Sequence, residues 1–441
     1  MREMKDSGIE WIGRIPYDWN IRRLKYIKAP IPYAIVDGPF GSAISTEDYV
    51  DEGVPLVRIV NIAQPGLTED NIRYITTEHA EKVKRSSTHL GDIILAKTGA
   101  TVGKCGINDL FDFAILSSSC IKISIDSRFD SKYFYYLFFT DQFNEALRNA
   151  CNGTTRDTIN LKPFGEISCC VPSLEKQKQI VEFLDEKIQE NDALIANVQL
   201  QIEKLKTYKQ SVITEVVTKG LDPTVPMKDS GVEWIGEIAN TRTIYRLKYL
   251  LGSPMQYGAN ESGDKFTEDS VRYIRITDIT ADGKLKDDEN NQYLPMSVAN
   301  EYILKDKDVL FARSGGTVGK SFLYHENYGK SAFAGYLIKA ECDQTALLPE
   351  YLIYYTQSSL YELWKNMIFI QATIQNIGAN KYSNMEIPVP PVDEQKAIVE
   401  HLAGKCSQID RLIALKEAKI EKLEQYKKSL IYEYVTGKRE V

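Results

Sequence analysis

Residues 4–13 read MKDSGIEWIG, and residues 227–236 read MKDSGVEWIG, so nine of ten positions are identical. The likeness continues outward from this pair in the same order. RRLKYI at residues 22–27 returns as YRLKYL at residues 245–250. Because a repeat changes the meaning of every other motif, we followed it along the whole chain before interpreting single residues.

The repeated segments keep their order to the end of the chain. VRIVNI (57–62) returns as IRITDI (274–279), GDIILAKTGATVGK (91–104) as KDVLFARSGGTVGK (307–320), QKQIVEFL (177–184) as QKAIVEHL (395–402), and KLKTYKQSVITEVVTKG (204–220) as KLEQYKKSLIYEYVTGK (422–438). A unit of roughly 220 residues is too long for a solenoid repeat and long enough for a folded domain with an appendage. The sequence of 441 residues therefore predicts two similar lobes.

Each lobe combines short strands with short helices. Apolar, β-branched runs bounded by turn residues predict strands at VRIVNI, DIILAK, CIKISI, YIRITDI, DVLFAR and GYLIKAE. YFYYLFF (133–139) and YLIYYTQ (351–357) are followed by polar residues at helical spacing, which favours short helices. We predict an α+β protein with mixed α/β lobes at 1–173 and 220–391.

A long helix closes each unit, at residues 174–219 and 392–438. Apolar residues advance along both in steps of three and four, which is typical of a coiled coil. The polar positions Asn191, Lys209, Lys416 and Lys427 are of the kind that fix register. The alternative is two separate surface helices, each docked on its own lobe. The apolar seam residues are Val181, Leu184, Ile188, Ile195, Val198, Ile202, Leu205, Val399, Leu402, Ile409, Ile413, Ile420 and Leu423.

The connectivity suggests how these helices would pair. Two equivalent helices that leave equivalent lobes and pack together must run antiparallel about a pseudo-two-fold axis. About 45 helical residues would give a rod of about 65 Å. Two readers held at a fixed separation suit duplex DNA, whose half-sites recur at about 34–36 Å per turn.

Composition limits the other functions. The net charge is −7, so the chain as a whole is not basic, although a local basic face is compatible with that value. No apolar stretch resembles a leader or a membrane span, which predicts a soluble, cytoplasmic protein. Seven cysteines without a C-x-x-C pair and four scattered histidines favour reduced thiols and no metal site.

Cations that occur in both copies are candidates for contacts with DNA phosphates or for a lobe-frame role, meaning side chains that hold strands and turns together. The simplest alternative for each is a solvated residue at a strand end. The least similar segments, 30–49 against 253–269 and 110–127 against 323–344, are expected to touch base edges. The candidate phosphate or lobe-frame residues are Arg58, Lys97, Thr98, Lys104, Arg156, Arg275, Arg313, Ser314 and Lys320.

The glycine-rich turns do not match a nucleotide-binding loop. A P-loop needs G-x-x-x-x-G-K-[ST], but Thr98 and Ser314 occupy the first glycine position, and Cys105 follows Lys104. Such a turn can equally connect two strands or hold a DNA phosphate. No nucleophile elbow, zinc-protease or dinucleotide motif is present, so we predict no catalytic residues on this chain.

DSGIEWIGRIPYDW with RRLK, GDIILAKTGATVGK, and VPPVDEQKAIVEHL before a long helix resemble the specificity subunit of type I restriction-modification enzymes. The resemblance covers nearly the whole chain. It implies two target-recognition domains that each read half of a split site in double-stranded DNA, with helices that set the gap. The absence of an N-P-P-[YF] motif agrees with methyl transfer taking place on another chain.

The resemblance also implies partners. Two methyltransferase subunits would carry S-adenosylmethionine, and restriction and translocase subunits would use ATP and Mg; neither cofactor would bind this chain. The two copies depart from each other at the start of the helix, where Ser173 and Lys176 stand for Pro391 and Glu394. The second copy also reads IANTRT (238–243) where the first has the I-P-x-x-W pattern.

The leading hypothesis is therefore a non-catalytic DNA-recognition scaffold whose coiled coil docks the methyltransferase subunits. Two competing hypotheses remain at this point. One is a protein-interaction scaffold that never touches DNA, which a band-shift assay with partners present would separate. The other is a nucleotide-dependent enzyme that uses the glycine-rich turns, which nucleotide binding by the isolated chain would support.

Overall fold

A computed structural model describes residues 2–40, 43–151, 157–280, 283–286, 290–370 and 375–441. The chain divides into two compact units. Unit 1 comprises Met1–Val198 and Ala418–Val441, and unit 2 comprises Gln199–Glu417. Each unit therefore contains one lobe together with part of both long helices.

The first lobe has short strands and helices, as its sequence pattern predicts. Its strands are β1 (Met4–Asp6), β2 (Arg14–Pro16), β3 (Asn20–Arg23), β4 (Ile35–Asp37), β5 (Tyr49–Val50), β6 (Val54–Val57), β7 (Arg73–Ile75), β8 (Ser87–Thr88), β9 (Ile93–Ala96), β10 (Cys105–Ile107), β11 (Ala114–Leu116), β12 (Cys120–Ile123) and β13 (Ser168–Val171). Its helices are α1 (Thr77–Lys82), α2 (Ser131–Phe139), α3 (Asp141–Asn149) and α4 (Leu161–Glu166), followed by the long helix α5 (Leu174–Lys219).

The second lobe follows the same order. Its strands are β14 (Met227–Asp229), β15 (Glu237–Ala239), β16 (Thr243–Arg246), β17 (Gln256–Tyr257), β18 (Ser270–Ile274), β19 (Gln292–Pro295), β20 (Val309–Ala312), β21 (Ser321–Leu323), β22 (Ser331–Phe333), β23 (Leu337–Ala340) and β24 (Glu386–Val389). Its helices are α6 (Met296–Ala299), α7 (Pro349–Thr356), α8 (Ser359–Ile370) and α9 (Ala379–Ser383), followed by the long helix α10 (Val392–Val435).

The two lobes share the topology of their central sheets. The order β10-β9-β12-β4 in the first lobe corresponds to β21-β20-β23-β17 in the second. A second sheet in each lobe combines an antiparallel pair with a parallel one, β7-β6-β11 in the first lobe and β19-β18-β22 in the second. The predicted α+β class and the duplication of the lobe are therefore confirmed.

The central strands are apolar throughout because both of their faces are buried. Ile93 and Leu95 of β9 pack in the main core with helix α2, whereas Ile94 and Ala96 pack in a second cluster on the opposite face. Since side chains alternate across a strand, a sheet covered on both sides has apolar residues at every position. β20 repeats this division in the second lobe.

One strand prediction is wrong at its end. The strand predicted at VRIVNI stops at Val57, and a 3₁₀ turn follows over Ile59–Asn61. In the second lobe the strand ends at Ile274, and Ile276–Asp278 form the turn. The side chains of Asn61 and Asp278 accept hydrogen bonds from the backbone N–H three residues earlier, and this local capping ends the strand.

The predicted pairing of the long helices is confirmed within each unit. In unit 1, the Phe183 and Tyr434 rings pack 4.5 Å apart, and Lys427 bonds Asp192 at 2.8 Å. In unit 2, Lys209 bonds Asp410 at 2.7 Å. Residues with higher numbers on α5 contact residues with lower numbers on α10, so the two helices run antiparallel. How far the helices hold the lobes apart stays a prediction.

The predicted seam faces away from solvent. Each of its positions is buried or half-buried, including the polar ones, whereas most of their neighbours along the middle of both helices are exposed. Asn191 donates from Nδ2 to the Leu423 carbonyl at 3.2 Å, which satisfies a polar group inside the seam. The second helix ends at Val435 rather than at the predicted residue 438, shortly before Gly437, whose φ is +70°.

One buried glutamine attaches the start of each long helix to its lobe. Gln177 accepts from Asp130 N–H at 2.8 Å and donates to the Pro172 carbonyl at 2.9 Å. Gln395 accepts from Leu348 N–H at 2.8 Å and donates to the Pro390 carbonyl at 2.9 Å. The equivalent geometry shows that this part of the junction is conserved between the copies.

The other part of the junction differs, as the departures in sequence indicate. Arg242 is fully buried and donates to the Val216 and Val217 carbonyls at the end of α5, and to Glu394 at 2.8 Å. The first lobe has buried Trp19 at the matching place, packed beside Gly437. Arg242 therefore caps the end of α5 with a charge, whereas Trp19 fills the equivalent place in the first lobe by apolar packing.

Candidate nucleic-acid interface

The glycine-rich turns are connections between antiparallel strands. The turn after β9 leads into β10, and the turn after β20 leads into β21. In the first, the N–H groups of Val102, Gly103 and Lys104 donate to carbonyls of the same hairpin. Gly103 takes a φ of +91°, which favours glycine. Because these donors are already used, the turn offers no P-loop-like cradle for a nucleotide phosphate.

Lys104 lines a cavity of about 290 Å³, and Arg148 and Lys428 line it as well. Lys428 pairs with Asp141 at 3.1 Å on the same wall. In the second lobe, Lys320 occupies the position that corresponds to Lys104 and is half-buried. The geometry places both predicted lysines at the end of a tight turn, where a phosphate contact is feasible, and it does not test that role.

Lys97 and Arg313 follow the ends of the matching core strands β9 and β20, and their partners differ. Lys97 bonds Asp37 at 2.5 Å, and its side chain is only 14% exposed. The guanidinium of Arg313 lies over the ring of Tyr257, with Cζ 4.9 Å from the ring centroid. Asp37 and Tyr257 themselves end the matching strands β4 and β17. We call these two arrangements the tip pairs.

Arg58 and Arg275 lie where each strand gives way to the 3₁₀ turn. The guanidinium of Arg275 forms two hydrogen bonds with Asp278, at 2.8 and 3.2 Å. Arg58 donates to the Asn71 carbonyl, and its Nε is buried without a partner among the described residues. This geometry favours the lobe-frame interpretation for Arg275, because its charge is already neutralised.

The remaining predicted polar residues lie beside the tip pairs. Thr98 forms a bridge with Thr158, and Ser314 forms the equivalent bridge with Asn376. These bridges place the start of each glycine-rich turn against the segment that follows α3 or α8. Arg156 lies outside the described residues.

Each lobe contains a buried ion pair that was not predicted from the sequence. Lys122 lies 2.7 Å from Asp92 inside the first lobe, and Lys339 lies 3.7 Å from Asp308 inside the second. Burial raises the pKa of the Asp308 carboxyl above its usual value. The signal was available: an Asp directly before the core strand and a Lys within the facing apolar strand occur in both copies.

Only parts of the divergent segments are accessible. Residues 110–127 contain the buried strands β11 and β12, so the accessible parts of this segment include the stretch before β11, where Leu110 is 44% exposed, and the turn at 117–119. The matching turn ends at Tyr336, which is 61% exposed. Phe40, in the divergent segment 30–49, is 82% exposed. Base contacts from 110–127 are therefore expected from its loops and not from the paired strands β11 and β12, and this expectation stays a prediction.

The described residues offer little for other chemistry. Burial raises the pKa of the Cys105 and Cys342 thiols to about 12 and that of Cys120 to about 11, which disfavours reactive thiolates. Across this part of the chain, no cluster of three His, Cys, Asp or Glu side chains is arranged to hold a metal ion. Likewise, none of the described helices is long and apolar enough to cross a membrane.

Comparison with known proteins identifies the family. The profile described as type I restriction modification DNA specificity domain matches twice, at residues 41–204 and 257–425. The chain belongs to this family. Specificity subunits are the DNA-recognition components of restriction-modification complexes, and the two matches correspond to the two lobes with their helices.

Relatives of this specificity subunit match over nearly their whole length. The MjaVIII specificity subunit of Methanocaldococcus jannaschii is 26% identical over 96% of this chain and 94% of its own. The EcoKI specificity subunit of Escherichia coli is 22% identical over 94% and 88%. A chain from a solved structure on complex assembly and conformational transition of the type I system shares the fold, with a TM-score of 0.70, 16% identity, and coverage of 96% and 98%.

Proposed function

We propose that each lobe of this specificity subunit reads one half of a bipartite, asymmetric site in double-stranded DNA. The tip pairs carry this proposal. The four-stranded sheets around them match strand for strand, whereas the ends of their core strands carry Lys97 with Asp37 in one lobe and Arg313 with Tyr257 in the other. Two readers with a common fold and different tips suit two unrelated half-sites.

DNA phosphates would supply most of the affinity. Lys104 and Lys320, which end the glycine-rich turns of both lobes, are our candidates for shared phosphate contacts. Binding should then weaken steeply with salt, with log K falling by about 0.9 per neutralised phosphate for each unit of log salt concentration. Binding that does not change with salt would contradict this part of the proposal.

The long helices would set the distance between half-sites. In unit 2, Lys416 bonds Gln201, so Ile202 and Lys416 are near neighbours across the antiparallel pair. Adding one heptad after each of these two residues preserves both seams and lengthens the pair by about 10.5 Å. The DNA spacer should grow by about three base pairs, given about 3.4 Å per pair.

The single insertions are the matched controls. One heptad added only after Ile202, or only after Lys416, leaves seven residues without a partner on the other helix. We expect these variants to lose affinity without a regular change in spacer. An unchanged spacer in the double insertion would show that the helices do not measure the gap.

We also propose that two methyltransferase subunits dock on this chain, on the outer faces of the long helices. Leu412 and Leu415 lie outside the seam and are exposed, which suits a protein partner. An exposed tyrosine with a neighbouring lysine occurs at the equivalent position of both lobes, which supports a partner that binds twice. Tyr26 and Tyr249 are 60% and 69% exposed, and a lysine ammonium lies 5.1 Å from each ring.

On this proposal the chain is not an enzyme, and chemistry takes place on its partners in the cytoplasm. S-adenosylmethionine would bind the methyltransferase subunits, and ATP with Mg would serve the restriction and translocase subunits. The family membership and the buried thiols support this division. No residue of this chain is assigned a catalytic role.

The direct experiment is to sequence genomic methylation in cells with and without the chain. The proposal predicts that a single two-part motif with a fixed internal gap loses methylation when the gene is deleted. A continuous motif, or no change in methylation, would contradict the proposal.

A further inference from the structure

The tip pair of the second lobe has a geometry suited to reading a base. The guanidinium of Arg313 lies over the ring of Tyr257, and this cation–π contact restricts the side chain before any ligand arrives. Tyr257 is itself held, because Ala379 N–H at the start of α9 donates to its hydroxyl at 2.9 Å. A chain of contacts from the start of α9 through Tyr257 therefore orients the guanidinium.

The described residues of the lobe do not use the full hydrogen-bonding capacity of Arg313. Its Nε is buried and has no partner in the described parts of the chain. The side chain as a whole is only half-buried, which leaves the terminal nitrogens as the part that can meet a ligand. The exposed ring of Tyr336 is close by, since Arg313 N–H donates to the Tyr336 carbonyl at 3.0 Å.

In the first lobe, the position equivalent to Arg313 is occupied by Lys97, whose surroundings are different. The ammonium of Lys97 is neutralised by Asp37 at 2.5 Å, and Ser119 takes the place of Tyr336 as the acceptor for the backbone N–H. A phosphate contact common to both lobes would require a free cation in both. The difference between the tip pairs is instead expected where two lobes read different bases.

We infer that Arg313 is a specificity-determining residue of the second lobe and that its ligand is the major-groove edge of a guanine. Guanine presents two acceptors, O6 and N7, in a geometry that matches two N–H groups of one guanidinium. Because Lys97 at the equivalent place of the first lobe is neutralised by Asp37, a phosphate contact shared by both lobes does not account for Arg313, and we assign its guanidinium to a base edge. The inference rests on the proposed DNA-reading role and assigns one base pair of one half-site.

The test uses the full chain assembled with its methyltransferase partner and a DNA pool randomised at both half-sites. Selection by the wild-type complex should return a guanine in one half-site. Arg313→Ala and Arg313→Lys should both lose the preference for that guanine by about 5- to 150-fold and leave the other half-site unchanged. Tyr257→Phe, which keeps the ring, should retain more of the preference than Tyr257→Ala.

Lys320→Ala is the matched control, because it removes a cation of the same lobe that has no aromatic platform among its described contacts. We expect it to weaken binding to all sequences alike, with the salt slope reduced by about one. Arg313 variants that behave in this way would overturn the inference. So would a loss of preference in both half-sites, or a correctly folded Arg313→Lys complex with the wild-type motif. Failure of the wild-type complex to select any two-part sequence would instead overturn the proposed function.

Discussion

The two lobes resemble each other closely at the starts of their long helices and differ at the tip pairs. Gln177 and Gln395 make matching hydrogen bonds at the helix starts. The tip pairs, in contrast, replace an ion pair with a stacked guanidinium on equivalent strands. The two copies therefore share the attachment of the helix to the lobe and differ in the side chains that end equivalent core strands.

The largest effect we predict is a difference in stability between variants of the two buried ion pairs. Asp92 is in contact with Lys122 at 2.7 Å and with the hydroxyl of Ser124 at 2.5 Å, so Asp92→Asn leaves a buried ammonium uncompensated. We expect it to lower the free energy of unfolding of the first lobe by about 3–5 kcal/mol. Asp308→Asn should cost less than about 1 kcal/mol, because burial already disfavours the charged Asp308 carboxylate and Lys339 is 3.7 Å away. Hydrogen exchange measured lobe by lobe checks both values, and equal losses would contradict this difference.

The pair of Asp308 and Lys339 also predicts that the stability of the second lobe depends on pH. Burial raises the pKa of Asp308 in the folded lobe above its unfolded value of about 3.8, so the unfolded chain releases this proton at lower pH. The contribution of Asp308 is therefore greatest below about pH 4 and is lost as the pH rises through the folded pKa. Asp308→Asn should remove this decline from the stability profile of the second lobe. An unchanged profile would show that Asp308 does not titrate in this way.

The second-largest effect concerns the junction that differs between the copies. Arg242→Met removes a fully buried cap from the end of α5 and leaves Glu394 without its partner. We expect a loss of about 2–4 kcal/mol in unit 2. Arg246→Met, at an exposed position of β16, is the control and should change stability by less than about 0.5 kcal/mol. Similar losses in both variants would mean that the buried cap is not important.

An intermediate effect tests the part of the junction that is the same. Gln177→Ala and Gln395→Ala each remove hydrogen bonds from a buried site, and each should cost about 1–3 kcal/mol. Because two of the hydrogen bonds match and Gln395 also donates to the Ala346 carbonyl at 2.8 Å, we expect the loss to be larger for Gln395→Ala but by no more than about 1 kcal/mol. Denaturation of the two variants side by side measures this. A larger difference would show that the junctions are not energetically equivalent.

The smallest effect lies in the helix pair. Asp192→Asn and Asp410→Asn each remove a partly exposed partner of a seam lysine. Each should cost less than about 1 kcal/mol, and the cost should shrink as salt is added. Thermal melting at low and high salt follows both variants. A loss that salt does not reduce would indicate a packing role for the carboxylates.

Much of the fold could be predicted from the sequence because it is encoded locally and twice. The seam follows from spacing alone, and the lobes follow from the repeat. The tip pairs could not be predicted, since Asp37 lies 60 positions before Lys97 and only the sheet brings them together. The capped turn after Val57 was also missed, because β-branched residues on both sides of Arg58 concealed the end of the strand.

The candidate site was predicted in its residue types and not in its arrangement. Both copies carry a cation after the core strand, which suggested one shared role. The structure shows that Lys97 is neutralised and Arg313 is stacked, so the same alignment column holds two different environments. A single sequence cannot reveal such partners when they come from distant strands.

The division of labour between the lobes is tested most directly by exchanging residues 30–158 with the matching segment of a relative and sequencing the methylated motif. We predict that one half-site takes the relative's sequence while the other half-site and the gap stay as they are. A motif that changes in both halves, or in neither, would contradict the account.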